Sequence, residues 1–434
     1  MKRILYIIAI LIISYRAKST DMYFPPLVGN NWESVSPESL GWDTSAITPL
    51  YDFLASENTK AFIVLKDGKI VLEKYFDTFA QDSIWYWASA GKSLTAVLVG
   101  IAQQNKLLSI NDKSSKYLGS GWTNCTTEQE DKITILNQLT MTTGLDDGVP
   151  NNHCTADTCL KYLVAPNTRW AYHNAPYTLL EKVIESASSK KINQFTQQQI
   201  TSKTGISGLW FTADDDNVFY GKPRSMARFG LLALNNFVWN GDSILTDIIY
   251  RNAMINTSQN LNKSYGYLWW LNGKESYMLP TLQKVFNGSL APDAPNDMYA
   301  AMGKNGQLAC ISPSKGLVVV RMGDRPTFFG DVPNVFCNQI WQKLNNVMNT
   351  SSGIIDEANI GKLSITASSN AEMFILNGLE AKEYNYRIIN SLGQSMNSGT
   401  TSNNTIDASE LSNGLYLIII QDENGNIQIG KIIK

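Results

Sequence analysis

The chain has 434 residues, with 36 Lys or Arg against 38 Asp or Glu and a formal charge of −2. That balance argues against a nucleic-acid binder, which needs a concentrated basic face to displace counterions from phosphates. Apolar residues at 44 % supply a sizeable core, while two histidines and five scattered cysteines argue against a His/Cys zinc site. No cofactor is expected. Charged residues are 17 % of the chain, below the roughly 25 % of an ordinary soluble domain, which leans towards an exported protein.

Lys2 and Arg3 precede a ten-residue apolar run, Ile4–Ile13, followed by a polar stretch with the small-x-small site Ala17-Lys18-Ser19. Ten residues are too few to cross a bilayer, which takes about 20, so residues 1–19 read as a signal peptide. No later stretch is long and apolar enough to span, so no stable membrane insertion is expected. The mature protein is then secreted or surface-held by way of the periplasm. Export permits disulfides, and Cys154 and Cys159 bracket a four-residue loop and are a candidate pair. Cys125, Cys310 and Cys337 leave an odd count, so at least one thiol stays free.

From Thr59 to Phe76, two apolar runs flank Lys66-Asp67-Gly68-Lys69 and predict a β-hairpin. A mostly helical stretch follows to about Asp247, opened by Leu94, Val97, Leu98 and Ile101 at helical spacing. Strand character returns over Met298–Met322, and a last helix is expected at Val335–Val347. This pattern predicts one α/β (α+β) domain over 20–348: an antiparallel sheet built from both ends of the domain and flanked by helices, with a helical insertion at about 105–295. After a linker at 349–353, short alternating strands at Met373–Leu376, Tyr384–Ile389 and Leu415–Gln421 predict a small all-β sandwich over 354–434.

The chemistry concentrates in three segments. The first is Ser89-Ala90-Gly91-Lys92. Residues at i and i+3 share a helix face with Cβ atoms about 5–6 Å apart, so Lys92 can take or relay the Ser89 proton. The pattern recurs at Ser188/Lys191, in a polar helix end, and at Ser312/Lys315, in a turn. Only Ser89 opens a long apolar helix. The second segment is Tyr172-His173-Asn174. A tyrosine between lysines can serve as a base, and the Asn174 amide can bind both a lysine and a substrate carbonyl. Tyr250-Arg251-Asn252 repeats the spacing without supporting context. The third is Gly303-Lys304-Asn305-Gly306-Gln307. There Lys304 offers positive charge, Gly306 allows close approach of substrate, and the Gln307 N–H can join that of Ser89 as an oxyanion hole. Lys203-Thr204-Gly205 follows a helix and reads as a decoy.

Together these segments resemble the serine β-lactamase and penicillin-binding protein superfamily. The Tyr-x-Asn motif is similar to the class C branch, which also holds esterases, D-aminopeptidases and 6-aminohexanoate-oligomer hydrolases. The resemblance covers about residues 45–348. It implies Ser89 as the acylated nucleophile, Lys92 and Tyr172 as the proton-transfer pair, and Asn174 and Lys304 as substrate-orienting groups. The substrate expected is a small molecule or peptide bearing an ester or amide bond. The third motif lacks the hydroxyls that help hold a β-lactam carboxylate, which favours an esterase- or amidase-like member. The alternative is a penicillin-recognising sensor that is acylated without turnover. A Ser-His-Asp hydrolase using His173 is a weaker reading, because the first Gly of a nucleophile elbow is missing, and His153 reads as a surface residue. Leu411-Ser412-Asn413-Gly414-Leu415-Tyr416, with the closing Gly430-Lys431-Ile432-Ile433-Lys434, resembles the sorting domain of type IX secretion, which implies that machinery as a partner.

Overall fold

The computed structural model describes residues 22–327, 332–348, 361–368, 372–380, 382–390, 395–422 and 427–434. The expected signal peptide and the expected linker at 349–353 lie outside these residues. The chain divides into two compact units between residues 350 and 351.

The first unit opens with helix α1 (Ile47–Ser56), strand β1 (Thr59–Lys66) and strand β2 (Lys69–Tyr75). Asp67 and Gly68 both have positive φ, 47° and 89°, the pair of left-handed conformations that a two-residue type I′ hairpin requires. After the two-residue strand β3 (Trp85–Tyr86) comes helix α2 (Gly91–Gln104), buried without interruption from Gly91 to Ala102. A helix buried on every side belongs in the middle of a domain rather than on its surface.

Among the later strands are β4 (Gly208–Ala213), β5 (Asp216–Gly221), β6 (Trp270–Leu271), β7 (Tyr299–Gly303), β8 (Gln307–Ser312) and β9 (Leu317–Gly323). Six strands form one antiparallel sheet in the order β2-β1-β9-β8-β7-β6. Its central strand β9 reads Leu-Val-Val-Val-Arg-Met-Gly and is buried at every position, so both faces must be covered. Successive side chains of a strand point to opposite faces. Accordingly Val318 packs on Gly230 of helix α3 (Pro223–Leu234), while Arg321 lies 4.9 Å from the Phe336 ring of helix α4 (Asn334–Val347).

The stretch expected to be mostly helical holds a hairpin as well. Strands β4 and β5 pair with each other, and β5 pairs with β3 through Trp85↔Gly221 and Tyr86↔Tyr220. Burial in β5 alternates strictly, a period of two that short apolar runs between helices conceal.

The second unit has strands of five and three in two sheets. Phe374, Leu376, Tyr384, Ile388, Ile406, Tyr416, Ile418 and Ile420 make one core between them. Inward-facing residues alternate along Leu415–Gln421, as expected of a strand with one wet face.

Candidate active site

Ser89 lies in a tight turn, Ala88–Ala90, between β3 and α2. Ala88 has φ 47°, a left-handed conformation that costs a non-glycine residue about 1 kcal/mol or more. It is held by its neighbours. The Trp87 N–H donates to the Phe219 carbonyl at 2.8 Å, and the Trp87 ring packs at 4.7 Å on Phe219 and 5.7 Å on Phe229. The end of β7 presses on the same turn. A Cβ at Gly303 would meet Trp87 O at 2.6 Å, Ala90 N at 2.8 Å and Ser89 N at 3.0 Å. Gly303 is therefore the glycine that lets the third motif touch the Ser89 turn.

One turn beyond Ser89, at the start of α2, the Lys92 side chain is buried. Its Nζ donates to Ser89 Oγ at 3.1 Å and to Asn174 Oδ1 at 2.8 Å. It also sits 3.7 Å from the Tyr177 ring centroid and 5.1 Å from that of Tyr172. Burial pulls its pKa down from 10.5 to about 7, opposed by the distant Asp216 carboxylate. An amine with that pKa is partly neutral near pH 7 and can accept a proton.

Tyr172 is buried in an aromatic nest. It stacks on Trp270 at 5.8 Å with planes 24° apart, and meets Trp170 and Tyr265 at 6.2 Å each. Trp170 and Trp270, both buried, thus back the Tyr172 ring, whereas Trp269 stacks on Phe229 in the core. Asn174 opens the short helix Asn174–Thr178. Its Nδ2 lies 3.1 Å from both Asn152 Oδ1 and His153 Nε2, and His153 Nδ1 lies 2.7 Å from Asp216 Oδ2. His153 is therefore more than a surface residue: it joins the loop before the disulfide to the Tyr-x-Asn motif. Cys154 and Cys159 are bonded, with Cα atoms 5.9 Å apart.

His173 points elsewhere. Its ring is buried with neither nitrogen hydrogen-bonded among the described residues, and burial pulls its pKa down to about 4. That environment does not fit the general base of a Ser-His-Asp triad.

The third motif forms the turn Lys304–Gly306 ahead of β8, with Lys304 exposed. Gly306 has φ 76°, and a Cβ there would meet Arg321 Nη1 at 2.8 Å and Phe336 at 3.0 Å. Its missing side chain leaves room for Arg321 and Phe336 in the interior. The Gln307 side chain is buried and donates to Gly323 O at 2.6 Å, leaving its main chain as the part next to the site. Asn305 donates to Tyr86 Oη at 2.7 Å. Arg321 anchors the whole turn, donating to Asn305 O at 2.6 Å, Gly306 O at 3.2 Å and Glu57 O at 2.7 Å.

The repeated spacings lie elsewhere in structural roles. Tyr250 is buried and donates to Ala96 O, Ser312 donates to Asp297, and Thr204 donates to Ile200 O at a helix end. Sequence reasoning missed Tyr177, His153, Asp216 and Arg321. Arg321 carried a signal, a lone charge in the strand Val-Val-Val-Arg-Met. Tyr177 stood in the same short stretch as Tyr172.

Among the described residues no cluster of three or more His, Cys, Asp or Glu is arranged to hold a metal, and no helix is long and apolar enough to cross a membrane.

Comparison with known proteins follows the same division of the chain. The family model described as Beta-lactamase matches residues 57–333, and that of a secretion system C-terminal sorting domain matches 362–434. An uncharacterized protein from Alkalihalophilus pseudofirmus is 23 % identical over 295 residues, covering 59 % of this chain and 81 % of its own. Among solved structures, a Bacillus anthracis protein proposed to be a 6-aminohexanoate-dimer hydrolase superposes with TM-score 0.58 at 17 % identity, over 77 % of this chain and 92 % of its own. A family VIII carboxylesterase gives 0.53 at 13 % identity, over 73 % and 99 %. A β-lactamase from Mycobacterium bovis gives 0.52 at 14 %, over 70 % and 99 %. At such identities the structural likeness speaks for the fold alone. The family match spans most of the chain and takes in all three motif segments, and the chain belongs to the β-lactamase family, with a secretion sorting domain at its C-terminus.

Proposed function

We propose that this protein is a secreted serine hydrolase that cleaves an ester or amide bond through an acyl intermediate on Ser89. The observation that carries the reading is Lys92, a buried amine with its pKa pulled to about 7 and its Nζ 3.1 Å from Ser89 Oγ. Neutral Lys92 removes the seryl proton as Oγ attacks the substrate carbonyl carbon. The N–H groups of Ser89 and Gln307 receive the developing oxyanion. Collapse breaks the bond to the leaving group, which takes a proton delivered through Lys92 and Tyr172. Water then attacks the acyl-serine, and the same pair returns the proton to Oγ. The domain at the C-terminus supports handling by the secretion machinery, and residues 1–19 remain our proposed signal peptide.

An ester or amide is favoured over a β-lactam by the third motif. Asn305 is turned onto Tyr86, and the Gln307 side chain is buried against Gly323. Neither presents a hydroxyl to a carboxylate. The test is turnover of p-nitrophenyl butyrate and nitrocefin side by side, with intact mass, for the wild type and Ser89→Ala. We expect ester turnover that vanishes in the variant, and little nitrocefin hydrolysis. Normal turnover by Ser89→Ala overturns the mechanism, and a seryl adduct that persists without turnover moves the protein to the sensor class.

A further inference from the structure

Asn174 carries an amide whose two ends do different work, and something must decide which end faces Lys92. Its Oδ1 accepts from Lys92 at 2.8 Å, while its Nδ2 faces Asn152 Oδ1 and His153 Nε2 at 3.1 Å each. An amide nitrogen only donates, so Nε2 must be the unprotonated nitrogen of the His153 ring. The ring proton then belongs on Nδ1, which lies 2.7 Å from Asp216 Oδ2 as a charge contact rather than an aligned hydrogen bond, and the carboxylate favours the proton on that side.

We infer that His153, oriented by Asp216, is a positioning residue for the reaction: it holds the Asn174 amide so that its carbonyl, not its NH2, meets Lys92. The line runs Asp216, His153, Asn174, Lys92, Ser89, each member in contact with the next. It joins the β4–β5 turn and the loop ahead of Cys154 to the start of α2. The inference rests on the acyl-serine reading above.

Several features fit this role better than a packing role. The His153 side chain is 44 % exposed, so it fills little of the core. Its loop is fixed on both sides: Asn151 Nδ2 donates to Asp215 Oδ2 at 2.9 Å, the Ala175 N–H donates to Asn152 O at 2.9 Å, and the disulfide begins at the next residue. The charged and titratable groups facing His153 are Asp216, with Asp215 beside it, and His173 from the Tyr-x-Asn segment. Lys92 lies beyond Asn174.

The test compares His153→Gln and His153→Leu in the full-length protein. Gln presents an oxygen to Asn174 and does not titrate near neutrality, whereas Leu presents nothing. We expect Leu to lower kcat for the ester about tenfold with KM and Tm close to wild type. Gln should restore kcat. A fall in Tm that tracks the fall in kcat, or a Gln variant as poor as Leu, overturns the inference. A second readout stands apart from turnover: the Asn174 side-chain NH2 resonances should move in His153→Leu and return towards their wild-type positions in His153→Gln. Resonances that ignore both substitutions refute the contact even if the protein hydrolyses nothing. Absence of turnover with the resonance shift intact faults the acyl-serine reading instead.

Discussion

Lys92 Nζ stands over the face of the Tyr177 ring, 3.7 Å from its centroid. The quadrupole of an aromatic face favours the charged amine, on the same side as the Asp216 carboxylate and against burial, which pulls the amine's pKa down. Tyr177→Leu removes the favourable part, so the Lys92 pKa should fall and the acid limb of the activity profile should move to lower pH by about half a unit to one unit. Tyr177→Phe keeps the ring and should leave the limb in place. Initial rates across the pH range, measured for all three proteins, check both outcomes.

Lys92 also predicts a conflict between activity and stability. Its amine has pKa 10.5 when solvated and about 7 in the fold, so between those values the unfolded chain binds more protons and stability rises with pH. Lys92→Met should abolish turnover, raise stability near neutrality by about 2 kcal/mol and flatten that rise. Denaturant unfolding of the two proteins at neutral and at alkaline pH reads the difference.

Gly303→Ala puts a methyl group into the backbone of the Ser89 turn. Turnover should fall more than tenfold, roughly the cost of misplacing a reacting atom by 1 Å, with a smaller change in Tm. Active-site acylation rate by stopped flow, set beside the melting curve, separates the two effects.

Arg321 donates to backbone carbonyls from three segments while buried in the sheet. Arg321→Met leaves those carbonyls without donors and should cost about 3 kcal/mol or more. Gly306→Ala, strained at φ 76° and crowding the same guanidinium, should cost about 1–3 kcal/mol. Urea midpoints measure each. A double variant should lose less than the sum, because the two share one contact.

The two units have separate cores. A chain ending at residue 348 should therefore reproduce the first unit's own transition in the full chain, whichever unit melts first, and keep its ester turnover, as calorimetry and a rate assay will show.

Much of this architecture was legible in the sequence where a period or a turn has a single physical meaning. Asp67-Gly68 demands a hairpin, Ser89 and Lys92 share a helix face, and the alternating C-terminal strands admit no helix. The hairpin Gly208–Gly221 was hidden because its alternation is short and interrupted by Asp214-Asp215. A glycine's spacing does not tell which side of the chain is crowded, so the sequence did not show that Gly303, two strands from Arg321, abuts the Ser89 turn. His153 and Asp216 are joined only by tertiary folding, through loops whose course no periodicity records.

The strand order has a consequence for how the molecule comes into being. Ile63 finds Val320 as its partner, so the sheet stays open until nearly all of the first unit has been made. Pairings between such distant segments form late. Gly303 and Gln307 reach the Ser89 turn only with that closure. A nascent chain therefore carries Ser89 and Lys92 side by side but not the assembled candidate site, and on the proposed mechanism the synthesis of its last strands is what would complete the chemistry.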